Sequence, residues 1–226
     1  MGIVYCEADR TFTIQTKNTT YQMQVDRFGF LLHLYYGKKT DGSCMDYLLT
    51  YYDRGFSGNP YDAGEDRTYS MDTLPQEYTA YGNGDYRING LETEQADRSD
   101  TANLKYECYE ISKGKYSLKG LPAMFAKEDE AETLEIVLKD HASGLRAHLL
   151  YGVFPQLDVI TRAVRLENTG TAPVTVKKAM SMEMDYEYRE LDAVHFYGKH
   201  NMERQMERTH LGHGLWKTET FLRLRK

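Results

Sequence analysis

Apolar and polar residues alternate along the first forty positions, which is the period of half-buried β-strands. The segments 12–16 and 21–25 both alternate, and the turn-forming residues 17–19 separate them. An apolar run follows over residues 30–36 and ends at a glycine. This pattern predicts a hairpin that a third antiparallel strand extends into a meander.

Strand patterns return after residue 99, and glycine-containing turns separate them at intervals typical of a β-sandwich. The predicted strands are 104–111, 133–138, 145–151, 159–166 and 174–184. The turn from Glu167 to Pro173 (ENTGTAP) predicts a hairpin between the last two. No amphipathic helix of useful length is evident, so the predicted fold class is an all-β antiparallel sandwich.

Between residues 40 and 90 neither the strand period nor the helix period persists. Glycine, aspartate, asparagine, proline and tyrosine dominate this stretch, and irregular segments of such length inside a domain are usually functional or disordered. Disorder fits poorly because the stretch is rich in aromatic rings, which favour burial. We therefore expect a long, irregular, ordered loop region.

Length and charge narrow the classes of function. The 226 residues fit one large domain or two small ones, and 28 basic against 34 acidic residues give a net charge of −6. This balance argues against nucleic acid as a partner. No apolar stretch reaches the roughly 20 residues that span a bilayer, and residues 1–10 lack a signal-peptide pattern, so we expect a cytoplasmic chain without membrane contact.

The three cysteines, Cys6, Cys44 and Cys108, are widely spaced and form no Cys-x-x-Cys pair. Neither a disulfide framework nor a cysteine metal site is implied. His210 and His213 have a spacing compatible with two metal ligands, but no third ligand accompanies them, and solvated loop histidines are the favoured interpretation. Nucleophile-elbow and phosphate-loop motifs are missing, and we predict no metal and no cofactor.

Acidic residues of the irregular region could supply the carboxylate pair that glycosidic cleavage requires. Spacing selects no pair, and most of these carboxylates are expected to cap turns or to pair with Arg54, Arg67 and Arg87. Tyrosine rings beside aspartate, asparagine and arginine also favour sugar contact, although the same composition is typical of subunit interfaces. The acidic residues are Asp53, Asp62, Glu65, Asp66, Asp72, Glu77 and Asp85.

Several blocks resemble the N-terminal domain of family 36 glycoside hydrolases, the bacterial α-galactosidases of the raffinose and melibiose type. They are residues 53–60 (DRGFSGNP), 66–78 (DRTYSMDTLPQEY) and 81–87 (YGNGDYR), with shorter matches at 118–123 and 130–136. The resemblance runs in order from the start of the chain to about Arg208. It implies a large β-sandwich of the supersandwich kind.

The family's catalytic aspartates belong to a (β/α)₈ barrel that follows the sandwich, so the resemblance places no catalytic residue in this chain. In the intact enzyme it implies retaining hydrolysis of terminal α-linked galactose. Asp53 matches the position whose carboxylate reaches the galactose pocket. His200 matches an aromatic or imidazole position near that pocket, and the alternative is a surface histidine. Assembly into tetramers is also implied. The expected substrate-binding residues are therefore Asp53 and His200.

Past Arg208 the sequence departs from the family pattern. We expect a partial N-terminal sandwich over residues 1–208, a divergent tail over 209–226 and no barrel, as in a truncated or frame-shifted product or a cut piece of a longer protein. Such a sandwich would lack strands at its C-terminal end.

Two alternatives remain from other classes. One is a stand-alone carbohydrate-binding or oligomerisation module that binds sugar near Asp53 without cleaving it. The other is an enzyme built on the sandwich itself, such as a sugar mutarotase, for which His148 or His33 would pair with a glutamate.

Overall fold

The computed structural model describes residues 2–53, 55, 59–127, 129–186 and 190–218. Within them the regular structure is β-strand, apart from two three-residue 3₁₀ helices at Asp46–Leu48 and Tyr61–Ala63. The sheets are antiparallel, so the predicted all-β class is confirmed. The contacts between residues divide the chain into two compact units, residues 1–185 and 186–226.

The first sheet is a four-stranded meander in chain order. It consists of β1 (Ile3–Cys6), β2 (Thr11–Gln15), β3 (Thr19–Val25) and β4 (Leu31–Lys38). The last three are the strands that the alternation predicts, and β1 is an additional short edge strand that the pattern does not predict. Alternation works here because the apolar side chains of one face enter the core, whereas the other face is largely polar and is partly covered by a loop, as where Gln22 donates to the Ser43 carbonyl oxygen.

The second four-stranded sheet is also a meander in chain order. It contains β6 (Leu104–Lys113), β7 (Glu132–Asp140), β8 (Leu145–Phe154) and β9 (Val159–Asn168). Each strand contains a predicted segment and extends it by two or three residues. The predicted strand over 174–184 is shorter in the structure and forms β10 (Thr175–Ala179).

The inner faces of these two sheets form a common apolar core. Phe12 and Met23 of the first sheet and Leu134, Ile136 and Leu149 of the second are fully buried in one cluster. Burying a side chain of this size stabilises the fold by about 1.5–3 kcal/mol. The sandwich therefore rests on contacts between residues more than 100 positions apart in sequence.

The prediction of a hairpin at the turn from Glu167 to Pro173 is wrong. β9 pairs with β8, whereas β10 leaves that sheet and pairs with β5 (Leu91–Glu94), another strand that the pattern does not predict. The turn signal has a different origin, since the Asn168 side chain accepts a hydrogen bond from the Gly170 backbone at 2.9 Å. Gly170 is required because a Cβ there would lie 2.0 Å from the Ser143 carbonyl oxygen.

The second unit contains a β-hairpin of β11 (Leu191–Lys199) and β12 (Met202–Leu211). The sequence pattern predicts no strand here. His200 and Asn201 form the two-residue turn, and Asn201 adopts a left-handed conformation with φ 65°. The boundary predicted at residue 208 falls inside β12, and the division of the chain at that residue stays a prediction.

In the part of the chain that the structure describes, no helix has the length and apolar character needed to cross a lipid bilayer.

Candidate functional site

Asp53 lies after the first 3₁₀ helix, in a segment without regular secondary structure that we call the Asp53 loop (residues 49–53). Its carboxylate accepts a hydrogen bond from the Gly55 backbone at 2.6 Å, and Arg67 Nη2 lies 3.5 Å from the same oxygen. Arg67 also donates to the Gly55 carbonyl oxygen at 2.9 Å. Nearly half of the Asp53 side chain, 46%, remains exposed. A partly fixed carboxylate is thus open to a ligand.

Aromatic contacts hold the start of this loop against the sandwich. The Tyr51 ring stacks on Tyr69 with 6.1 Å between centroids, and Tyr69 is fully buried. The Tyr69 hydroxyl donates to Asp26, which follows β3. Burial, and then the neighbouring carboxylate of Asp26, raises the pKa of Tyr69, so its hydroxyl remains a donor. The loop is therefore irregular in backbone and anchored by side chains.

A second anchor is a buried group of five polar side chains, the Glu77 cluster. Tyr21 and His33 come from the first sheet, Tyr151 and Arg162 from the second, and Glu77 from the segment between β4 and β5. The Glu77 carboxylate accepts from both tyrosine hydroxyls at 2.7 Å and lies 2.6 Å from Arg162 Nη1. His33 Nδ1 completes the group at 3.3 Å. One carboxylate thereby joins the two sheets to the irregular segment.

Electrostatics explain how a fully buried carboxylate stays charged. Burial raises the pKa of Glu77, but the Arg162 guanidinium and the hydrogen bonds from His33 and Tyr21 outweigh it, and the pKa is lowered overall. Burial, and then Glu77, raises the pKa of Tyr21. The cluster is a charged pair with neutral hydroxyl donors around it.

Arg87 fixes the far end of the irregular region. It contacts Asp85 through Nε at 3.0 Å and Asp185 through Nη1 at 2.7 Å, and it donates to the carbonyl oxygens of Met71 and Leu74. Gln76 donates to Asp85 at 2.8 Å. The segment from 71 to 87 is therefore cross-linked internally.

Most acidic residues of the irregular region cap turns or form ion pairs, as the sequence analysis predicts for most of them. Asp66 accepts from the Thr68 backbone at 2.9 Å, and Asp62 lies 2.6 Å from Lys105 Nζ. The expected pairs with Arg67 and Arg87 form with Asp53 and Asp85. Arg54 lies outside the described residues. Glu77 and Asp85 are buried, and their hydrogen bonds account for their burial.

Both histidines considered for a sandwich-borne enzyme do contact glutamates. His33 pairs with Glu77, and both side chains are closed to solvent. His148 lies on β8 between Glu135 at 2.5 Å and Glu167 at 3.1 Å, away from the apolar core. These are structural histidine–glutamate contacts in two separate places, so the geometry does not favour a mutarotase.

His200 occupies the exposed turn of the β11–β12 hairpin in the second unit. His210 pairs with Asp192 through Nδ1 at 3.0 Å, and His213 is exposed. Among the described residues, no three His, Cys, Asp or Glu side chains are grouped so that they could hold a metal ion.

The Glu77 cluster was missed as a unit, although one signal for it exists in the sequence. Arg162 occupies an inward position of β9, in step with the core-packed Ile160, Val164 and Leu166. A charged residue in an apolar register requires a buried partner. Glu77 was among the acidic candidates, but the pairing crosses 85 positions and no local pattern encodes it.

These features define an all-β domain in which the exposed carboxylate of Asp53 is the candidate group for binding a substrate. Residues 29–222 match the profile of the glycosyl hydrolase family 36 N-terminal domain. The chain therefore belongs to family 36, as its N-terminal domain.

The relatives are α-galactosidases. The chain is 56% identical over 214 residues to the bifunctional α-galactosidase/sucrose kinase AgaSK of Mediterraneibacter gnavus, covering 95% of this chain and 23% of the relative. It is 38% identical to the α-galactosidase AgaA of Geobacillus stearothermophilus, covering 97% of this chain and 30% of that enzyme. The chain thus spans less than a third of the length of these relatives.

Solved structures agree on the fold. The galactosidase domain of AgaSK superposes with a TM-score of 0.90 at 56% identity, covering 94% of this chain and 30% of that one. A variant of AgaA in complex with raffinose superposes with a TM-score of 0.85 at 40% identity, covering 90% of this chain and 28% of that one. The supersandwich predicted from the sequence resemblance is thereby supported at the level of the fold.

Proposed function

We propose that the intact protein containing this domain hydrolyses terminal α-D-galactosyl residues of oligosaccharides with retention of configuration. The supporting observation is the similarity to α-galactosidases along nearly the whole chain. Related structures hold raffinose and stachyose, which are α-galactosides. The proton donor and nucleophile would lie outside these residues, in the remaining two thirds of such an enzyme.

The test of this division is an activity assay of the purified chain with a chromogenic α-galactoside. We expect no release of the chromophore above buffer, because most acidic residues of the irregular region cap turns or form ion pairs and the chain spans less than a third of its relatives. An α-galactosidase in a parallel sample controls for the substrate. Turnover by the isolated chain would show that catalytic groups do lie within it.

We further propose that Asp53 accepts hydrogen bonds from sugar hydroxyls in the assembled active site, and that His200 lies near the same ligand. The exposure of Asp53 and its fixation by Gly55 and Arg67 support the first role. Hydrogen bonds from hydroxyls to a charged acceptor contribute about 1.5–3 kcal/mol. In the full-length enzyme, Asp53→Asn should raise KM for an α-galactoside about tenfold or more.

Asp41→Asn is the matched control, since Asp41 is also an exposed aspartate that caps a loop, through Ser43. It should leave KM unchanged. Equal effects of both substitutions would mean that Asp53 acts only as a loop cap.

The alternative is a stand-alone carbohydrate-binding or oligomerisation module. The half-exposed rings of Tyr51 and Tyr52 beside Asp53 favour sugar contact. Titration calorimetry of the chain with galactose distinguishes the two: we expect weak or no binding, whereas low-micromolar affinity that Asp53→Ala abolishes would support the module.

The resemblance also leads us to propose a homotetramer and a sandwich that ends near residue 208, followed by a divergent tail. Light scattering coupled to gel filtration measures the first. Limited proteolysis with mass spectrometry tests the second, which predicts preferential cleavage beyond residue 208.

We propose a cytoplasmic location because Cys6, Cys44 and Cys108 are free thiols, typical of a reducing compartment. Cell fractionation tests it.

A further inference from the structure

The turn that carries Arg67 is held in place by its neighbours along the chain. The Asp66 carboxylate accepts hydrogen bonds from the Thr68 backbone at 2.9 Å and from the Thr68 hydroxyl at 2.6 Å. Arg27 forms an ion pair with the same carboxylate, and Tyr69, two residues after Arg67, is fully buried. The backbone of Arg67 is therefore fixed, although its side chain is 61% exposed.

Two hydrogen bonds connect this turn to the chain beyond Asp53. Arg67 Nη2 donates to the Gly55 carbonyl oxygen at 2.9 Å, and Asn59 Nδ2 donates to the Asp66 carbonyl oxygen at 2.7 Å. Gly55 has a φ of 71°, a conformation that glycine adopts more readily than other residues. The turn thus restrains Gly55, whose backbone amide donates to the Asp53 carboxylate.

The two oxygens of the Asp53 carboxylate have different surroundings. Oδ1 accepts a hydrogen bond from the Gly55 backbone at 2.6 Å, and Arg67 Nη2 lies 3.5 Å from it. None of the described residues donates a hydrogen bond to Oδ2. An ionised carboxylate has about four acceptor sites, so those of Oδ2 are left for a ligand. Arg67 therefore contacts the oxygen that the protein already holds.

We propose that Arg67 is a positioning residue for Asp53. Its guanidinium holds Oδ1 together with the Gly55 carbonyl oxygen, so that Oδ2 is left to accept hydrogen bonds from the sugar hydroxyls. This inference rests on the proposed sugar-binding role of Asp53 and adds the residue that orients its carboxylate. A guanidinium suits the task because its planar, rigid set of donors fixes direction as well as charge.

The consequence of losing Arg67 should be seen in substrate binding rather than in folding. An exposed ion pair contributes little to stability. A carboxylate that turns away from its orientation, however, loses hydrogen bonds to the ligand, because these weaken steeply as their geometry departs from linear.

Kinetics of the full-length enzyme with raffinose test the proposal. Arg67→Gln should raise KM about fivefold, which is within the range of coupling between contacting residues. It should leave kcat within about twofold, because the lost interaction serves the bound substrate and the transition state alike. Arg67→Lys should raise KM less, since the ammonium group keeps the charge but lacks the planar geometry.

Arg98→Gln is the matched control. Arg98 is also an exposed arginine of a turn, and its side chain forms no hydrogen bond or ion pair with the described residues. This substitution should leave both KM and kcat unchanged.

A variant that combines Asp53→Asn with Arg67→Gln separates positioning from other roles. If Arg67 acts through Asp53, this variant should have the KM of Asp53→Asn alone, because the group that Arg67 orients is already impaired. A direct contact of Arg67 with the sugar, or a general effect on the fold, would instead multiply the two increases in KM. That result would overturn the proposal.

The single variants distinguish failure of this inference from failure of the proposal on which it rests. An increased KM in Asp53→Asn with an unchanged KM in Arg67→Gln would remove only the positioning role of Arg67. An unchanged KM in Asp53→Asn would remove the sugar-binding role of Asp53, and the positioning role with it.

Discussion

At the scale of single residues, the Glu77–Arg162 pair places two opposite charges in the interior, where both side chains are almost closed to solvent. Arg162 Nε and Nη2 have no hydrogen-bond partner among the described residues, so Glu77 provides the compensation for the guanidinium charge. Breaking a buried pair by removing one partner costs more than the pair itself contributes, because the remaining charge stays desolvated. Glu77 is therefore a structural carboxylate.

Glu77→Gln should lower the free energy of unfolding by about 3–5 kcal/mol at pH 7, since it leaves Arg162 charged in the core. Urea unfolding followed by tyrosine fluorescence measures the change. Glu65→Gln is the control, because Glu65 is an exposed carboxylate of the same irregular region, and it should change stability by less than about 0.5 kcal/mol. Similar losses for both variants would contradict the assignment.

The stability that Glu77 provides should also depend on pH. The pKa of Glu77 is lowered in the folded protein, so its contribution is fully present above the ordinary glutamate value of about 4.3 and is lost as pH falls below it. The stability difference between wild type and Glu77→Gln should therefore be constant from pH 7 to 5 and shrink towards pH 3. A difference that grew on acidification would have the wrong sign.

At the scale of elements, the connection after β9 shows how close packing of two turns determines the course of the chain. A Cβ at Gly170 would lie 2.0 Å from the Ser143 oxygen, and one at Gly144 would lie 2.7 Å from the Gly170 nitrogen. The Thr169 backbone and hydroxyl both donate to the Gly144 carbonyl oxygen, at 3.0 and 2.7 Å. The turns before β8 and after β9 thus pack directly against each other.

Gly170→Ala should destabilise the chain by about 1–3 kcal/mol, because the added methyl group overlaps backbone atoms that cannot rotate away. Gly212→Ala is the matched control, since nothing lies within 4 Å of a Cβ there. Thermal unfolding by circular dichroism gives both values. A neutral Gly170→Ala would mean that the two turns separate at little cost.

The individual strands show which parts of the fold the sequence could predict and which it could not. Alternation identified β2–β4 and β6–β9 because each buries one face in the shared core. It missed β5, which has four residues, and the hairpin β11–β12, whose many charged and exposed side chains obscure the period. Asp53 was found through a family resemblance, whereas the Glu77 cluster depends on contacts between distant segments that no local pattern encodes.

At the scale of the whole molecule, the two units differ in how they are stabilised. The first buries an apolar core between two four-stranded sheets. The second has a two-stranded sheet, and Val194, Phe196 and Met206 on one of its faces are 51%, 65% and 65% exposed. An isolated two-stranded sheet is marginally stable in water.

Hydrogen exchange should therefore separate the two units in the isolated chain. Amides of β7 and β8, at the centre of the core sheet, should exchange only through global unfolding, whereas those of β11 and β12 should exchange at least about a hundredfold faster through local opening. Exchange followed by mass spectrometry resolves the two regions, and the amides of the edge strand β1 control for edge fraying within the first unit. Equal protection of β8 and β12 would show that both units unfold as one cooperative body, and the exposed face of the hairpin would then contribute to a stable interface.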